Sequence, residues 1–407
     1  MSDFADSHRD QLSWRHRGLP ETAMGLSVDE YLETSESLFT DGFQWPQAVI
    51  LESALEHNLT TMKAFCERHN VSLAPHVKTH MSPQLAARQM DSGAWGVTVA
   101  NASQARTFLE FGFRKIVIAN EVVNPSSLRY LSEQDAEIYF YIDSLAGFDI
   151  VEKSISGPVN ILVEVGKKRG RTGVRSLKEG QELAKKIHDA PNMRLAGVSG
   201  YEGVFGKDRS RASVRKVRDF LKSLLEFAHA LSIYGESPFW VSAGGSAYFD
   251  LVVDELRPLT LSEDYTVVIR SGGYLAHDHG FYEGIYPFAK GAGFSFLPAI
   301  EVWSIVTSRP EKNLVIINGG KRDISVDIDL PFPLKFKSGD GDIKPLEGTV
   351  VNVNDQHIYL KTTNQELKVG DLVALGISHP CTTFDKWPLI ALTDDGYRIL
   401  SLYSTYF

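Results

Sequence analysis

An α/β fold, a (β/α)8 barrel of the TIM type followed by a β-rich C-terminal domain, is what the sequence predicts, on three observations. Between residues 73 and 270, apolar runs of strand length recur eight times, with stretches of helical spacing between most of them. Glycine pairs follow the last two runs, at Gly244-Gly245 and Gly272-Gly273. Beyond Gly273 the alternation stops, and prolines such as Pro298, Pro310, Pro331, Pro333 and Pro345 punctuate short β-type runs.

Taken in order, residues 1–45 form a leader whose Trp14, Tyr31 and Trp45 make it too aromatic for a purely disordered tail, so part of it is expected to pack on the body. Residues 46–280 are assigned to the barrel. Residues 48–51 read as a short strand, and Leu55, Leu59, Met62 and Cys66 have the spacing of one helix face, with Cys66 as a core thiol. The barrel strands are expected at 73–78, 95–99, 115–119, 138–142, 160–165, 194–199, 239–243 and 267–270, with helices at 103–111, 178–188 and 214–231 among those between them. Residues 281–407 are assigned to the second domain, on runs at 300–306, 314–318, 349–353 and 372–375.

With 407 residues, 43% hydrophobic and 23% charged, the chain can bury a large core. A net charge of -9, with no run of five like charges, argues against a nucleic-acid or anionic-membrane partner. No segment has the length and apolarity of a membrane span or a signal sequence, which gives a cytoplasmic expectation. Only Cys66 and Cys381 are available, which is no disulfide framework.

Chemistry is concentrated in residues 72–80, where an apolar run ends on Lys78 between His76 and His80. A strand period puts Leu73, Pro75 and Val77 on one face and Ala74, His76 and Lys78 on the other. In a parallel barrel that second face points inward, and Lys78 reaches the C-terminal rim where active sites are built. A desolvated lysine there can attack an aldehyde and later move a proton. After the seventh and eighth strands, Ser242-Ala-Gly-Gly-Ser246 and Arg270-Ser-Gly-Gly-Tyr274 are small-residue turns suited to a phosphate. Far downstream, His379-Pro-Cys381 offers an imidazole and a thiol to a metal. The absence of a second Cys/His cluster nearby disfavours a four-ligand structural zinc. Two protein ligands with open positions suit a catalytic metal better, with Asp385 or His277-Asp278-His279 as candidates for a further ligand. Phosphate-loop, dinucleotide and nucleophile-elbow motifs are absent.

Pro75-His-Val-Lys-Thr-His80 resembles the signature of pyridoxal-phosphate enzymes on the alanine-racemase type of barrel, specifically the D-serine dehydratase and D-threonine aldolase group. The resemblance spans roughly residues 45 to 400. It implies that Lys78 carries pyridoxal 5'-phosphate as a Schiff base, with His76 beside it. Arg171, in an Arg-Thr-Gly turn, would face the phenolic oxygen, and Tyr201 would lie near the cofactor. Ser246, Gly272 and Gly273, with Tyr274 adjacent, would hold the phosphate; Ser271 and Gly273 replace the family's proline and threonine, which removes one hydroxyl. His379 and Cys381 match the dehydratase version of a divalent metal site, zinc first among the candidates, whereas the aldolase branch often has a carboxylate in place of the cysteine.

The resemblance therefore implies a lyase that takes a small-molecule D-3-hydroxy amino acid, with loss of water and ammonia, to a 2-oxo acid, acting as a homodimer. The rival readings are retro-aldol cleavage by the same residues, racemisation, and a non-catalytic cofactor-binding protein.

Overall fold

A computed structural model describes residues 11–206, 208–285 and 294–407. The polar start of the leader and the stretch just past the expected domain boundary lie outside the described residues.

Strand β1 (Gln47–Leu51) precedes a closed parallel barrel built from β2 (Ser72–Leu73), β3 (Val97–Val99), β4 (Lys115–Glu121), β5 (Glu137–Ile142), β6 (Val159–Val165), β7 (Met193–Gly200), β8 (Phe239–Ala243) and β9 (Tyr265–Ile269). Its eight strands run β2-β9-β8-β7-β6-β5-β4-β3. The seam between β2 and β3 is closed by the His76–Thr98 bridge and by Trp95 N–H donating to Leu73 O at 2.7 Å.

Period-two alternation sorts the strand side chains into two populations. Ala74, Val117, Tyr139, Tyr141, Leu162, Trp240 and Val268 pack together inside the barrel. Leu73, Ile116, Ile118, Phe140, Ile161, Val163, Val241 and Ile269 face outward into the helix-covered core. Among the covering helices, Glu52–His69 carries Leu55, Leu59, Met62 and Cys66 inward, and Leu177–Asp189 and Arg211–Leu231 answer to the expected spans. Burial pushes the Cys66 thiol up to about 12, so it is a core group and not a nucleophile.

The first barrel strand corrects one expectation. Regular pairing ends at Leu73, Pro75 has no N–H to donate, and Val77–Thr79 winds into a 3-10 turn. Lys78 is presented by this turn and not by a strand. The inward alternation of Ala74 and His76 survives through the bridge at His76.

The second sheet has ten strands and is mostly antiparallel. Its long strand β10 (Ile300–Glu311) pairs with β1 in the register Gln47↔Trp303 and with Leu372–Gly376 in the register Trp303↔Ala374. Strand β1, inside the expected barrel span, thus belongs to the second sheet, and it also runs parallel to Leu389–Thr393. The chain enters the second sheet before it builds the barrel, which ties the two bodies together at both ends.

The leader packs where its apolar residues direct it. Leu12, Leu19, Ala23, Val28, Tyr31 and Phe43 are buried with Trp303 and Tyr397, whereas Trp14 is 81% exposed. Its helix Val28–Leu32 starts on a Ser27/Glu30 capping box. The turn at 318–323 is stapled by Gly320 N–H donating to Asp323 at 2.8 Å. Arg17 of the leader pairs with the same buried carboxylate at 2.7 Å and lies 3.7 Å over the Trp387 ring. Arg17→Ala should therefore leave Asp323 buried without its cation and cost about 1.5–3 kcal/mol, read from urea denaturation midpoints.

Candidate active site

At the C-terminal rim of the barrel, where the βα loops meet the second sheet, a cavity of about 540 Å³ opens. It is lined by His76 and Lys78 from the first barrel segment, Arg171 and Tyr201 from the loops after β6 and β7, Ser246 after β8, and Gly272 and Gly273 after β9. His379 and Cys381 reach it from the second domain. Residues separated by about 300 positions thus face one space, and Cys381 Sγ lies 3.5 Å from the Thr79 hydroxyl, next to Lys78.

Each position has a local cause. His76 is half-buried at the mouth of the barrel, its Nδ1 has no hydrogen-bond partner among the described residues, and burial followed by the nearby Lys78 and Arg270 cations holds it well below the usual imidazole range. A neutral imidazole therefore flanks the lysine. Arg171 bonds the Glu164 carboxylate at 3.4 Å and lies 4.9 Å over the Tyr201 ring. Burial, then Glu202, raises the Tyr201 phenol.

The small-residue turns form a floor with defined donors. Gly273 N–H donates to Ser246 Oγ at 3.0 Å. A Cβ on Gly272 would sit 2.2 Å from the His76 carbonyl oxygen, so glycine is required where the two loops touch. Gly272→Ala should force these loops apart, costing about 1–3 kcal/mol in a denaturant titration. The amides of Gly244 and Gly245 are occupied: both donate to the buried Glu202 carboxylate, at 3.0 and 2.7 Å.

Tyr274 is a correction. It is buried away from the cavity, its hydroxyl accepts from Gln89 at 3.1 Å, and it packs on Phe296. The tyrosine that joins Tyr201 in the cavity is Tyr282, whose ring lies over Gly273 beside Ser246. Sequence reasoning also missed Asn120, Thr172, Arg270, Phe281 and Ile328 in the lining. Arg270 was visible in its motif but received no role; buried, it donates to Ser242 and to Gly200 O.

His379 adopts a positive φ of 97°, and its N–H donates to the buried Asp278 carboxylate at 3.0 Å. The same carboxylate accepts the Gly280 and Tyr282 amides, so one side chain anchors both loops. His379 Nδ1 lies 2.6 Å from Asp327, which also accepts from Thr382 at 2.7 Å. The adjacent Cys381, then Asp327, push the imidazole up to about 9. The candidates for a further ligand do not join this pair: His277 bonds Glu283, His279 packs against Gly376, and Asp385 pairs with Lys386. Among the described residues, no group of three or more His, Cys, Asp or Glu side chains is placed to hold a metal.

Residues 50–258 match the family described as alanine racemase, N-terminal domain, which is half of the chain. The chain belongs to this family. Residues 299–393 match the family described as putative serine dehydratase domain. D-threonine aldolase of Arthrobacter sp. is 28% identical over 362 residues, covering 86% of this chain and 89% of the relative. D-threo-3-hydroxyaspartate dehydratase of Delftia sp. (strain HT23) is 28% identical over 375 residues, covering 86% and 94%. The crystal structure of D-threonine aldolase from Filomicrobium marinum superposes with a TM-score of 0.76 at 22% identity, covering 91% of this chain and 97% of that one, which shows a shared fold.

Members of the alanine racemase-like family with pyridoxal phosphate chemistry need an amine, a phosphate floor and a cation near the ring, and the residues present fit. Lys78 would supply the amine, Ser246 with the Gly272-Gly273 turn the floor, and Arg171 the cation, all of them in the cavity lining. The nitrogen and sulfur of His379 and Cys381 fit a divalent metal as two donors that leave positions open. Asp327 on Nδ1 is the carboxylate partner such a histidine commonly has.

Proposed function

We propose that the chain is a lyase that dehydrates a D-3-hydroxy amino acid, with pyridoxal 5'-phosphate at Lys78 and a divalent metal, zinc first, on His379 and Cys381. The observation that carries the reading is one cavity whose lining brings together a lysine, a nitrogen-sulfur donor pair and small-residue turns. The reading includes a homodimer in the cytoplasm, and no helix among the described residues is long and apolar enough to cross a membrane.

In this reading each group has one task. Arg171 would set its guanidinium at the phenolic oxygen, and Ser246 with the Gly272-Gly273 turn would hold the phosphate, the Gly273 amide orienting the Ser246 hydroxyl. Lys78 Nζ removes the α-proton on its side of the cavity. The bound cofactor supplies an electron sink next to the α-carbon, and the metal supplies Lewis acidity. His379 and Cys381 would hold that metal on the side of the β-hydroxyl, whose departure as hydroxide is otherwise slow. Loss of water followed by hydrolysis of the enamine leaves a 2-oxo acid and ammonia, and Tyr282 and Phe281 line the cavity in which these steps would run.

Retro-aldol cleavage is the second reading, favoured by the Arthrobacter D-threonine aldolase and by a 3-hydroxy-D-aspartate aldolase of Paracoccus denitrificans, 25% identical over 362 residues. A thiol at position 381, where the sequence resemblance puts a carboxylate in many aldolases, favours dehydration. The two separate by product. Metal-reconstituted protein given D-serine, D-threonine and D-threo-3-hydroxyaspartate should release 2-oxo acid and ammonia; glycine with an aldehyde would make it an aldolase.

A further inference from the structure

The cavity's cation rests on an unusual support. Glu121 ends β4 and Glu164 lies one residue before the end of β6, so the two flank the end of β5. Glu164 is 3% exposed, and its carboxyl is the neighbouring group that acts most strongly on that of Glu121. Glu121 Oε1 and Glu164 Oε2 have no other partner among the described residues, although both atoms are shut off from water. Carboxylate oxygens only accept, so two of them facing each other in a buried place are satisfied only when one carries a proton. The other oxygen of Glu164 is the one that bonds Arg171, at 3.4 Å.

We propose that Glu121 and Glu164 share one proton and act as a positioning pair, holding a single negative charge beneath Arg171 and so fixing its guanidinium at the cavity. The surrounding groups agree. From β5 and the residue after it come Tyr141, buried and bonded by the Ser199 hydroxyl, and Asp143, which accepts the Gly173 amide at 2.9 Å. From the loop after β6 comes Arg171, and from the end of β9 Arg270, which lies 6.0 Å over Tyr141. Asp143 adds negative charge, which favours retention of the proton. Arg171 is the cation bonded directly to the pair, and it is half-exposed, so it does not remove the need for the proton.

Burial, followed by the Glu164 carboxyl, pushes Glu121 up to about 8. A carboxyl raised on folding makes the folded state bind more protons than the unfolded chain. Its contribution to stability is therefore complete below the ordinary glutamate range and is lost as pH rises through about 8. Above that pH a second negative charge draws Arg171 onto the pair and opposes an anionic ring oxygen. The pair itself rests on no assignment of reaction; its effect on cofactor binding rests on the proposed place of Arg171.

The test is the pH dependence of urea unfolding for the full chain and for Glu121→Gln, whose amide donates to Glu164 without titrating. For the wild type, this pair should raise the unfolding constant by up to about tenfold per pH unit between pH 6 and 8, and the variant should lack that component. The affinity for pyridoxal 5'-phosphate, measured by equilibrium dialysis, should fall above pH 8 in the wild type and stay level in the variant. If Glu121→Gln does not fold, Glu164→Gln replaces it, because removal of either charge ends the sharing and flattens the profile. Parallel unfolding profiles for variant and wild type would overturn the pair. A flattened profile without lyase activity would leave the pair standing and remove the proposed reaction.

Discussion

Lys78→Ala should lower turnover by about 10³-fold or more, because it removes the covalent anchor and the proton carrier together. The fold should persist: Lys78 is exposed within the cavity and no packed core depends on it. Far-ultraviolet circular dichroism and the urea midpoint should match the wild type, while the absorption of lysine-linked cofactor disappears. Lys78→Arg should fail similarly, since a guanidinium is not neutralised near physiological pH and cannot attack an aldehyde. Retention of more than a few per cent of activity by either variant would take Lys78 out of the chemistry.

His379→Ala and Cys381→Ala should each lower turnover by about 10²- to 10³-fold, as expected when several kcal/mol of leaving-group stabilisation are lost. Their signature differs from that of Lys78. Cofactor binding should be preserved, and bound metal, counted by mass spectrometry, should fall from one per chain towards none. The 3.5 Å approach of Cys381 to Thr79 couples the donor pair to the lysine turn, so the Cys381 variant should also show a small shift in the cofactor's absorption maximum. Unchanged metal content in both variants would contradict the assignment of the pair.

The barrel was legible because a strand's period of two and a helix's 3.6 leave different apolar patterns, and the runs around Val117, Tyr139, Leu162 and Val241 have no competing period. The same reasoning failed where local chemistry overrode the period. Pro75 ends regular pairing early, and the turn at Val77–Thr79, not a strand, presents Lys78. Tyr274 was assigned by adjacency to Gly273, but the chain turns immediately, with His277 N–H donating to Gly273 O at 2.8 Å, and Tyr282 returns to the cavity instead. Asp327 and Asp278 were out of reach because their contacts with His379 join residues 52 and 101 positions apart, a separation that no local pattern encodes. Strand β1 was legible as a strand, but its partners Ile300–Glu311 and Leu389–Thr393 were not, since pairing across the whole barrel is a property of the fold. Glu121 was missed because the third expected run stopped at residue 119, before β4 ends.

The most direct measurement is peptide mapping after borohydride reduction of the full-length protein incubated with pyridoxal 5'-phosphate. The account predicts one stably labelled lysine per chain, in the peptide that contains Lys78, with no label in Lys78→Ala. Label on another lysine, or none on either protein, would contradict the claim that the turn at Val77–Thr79 presents the catalytic amine to the shared cavity.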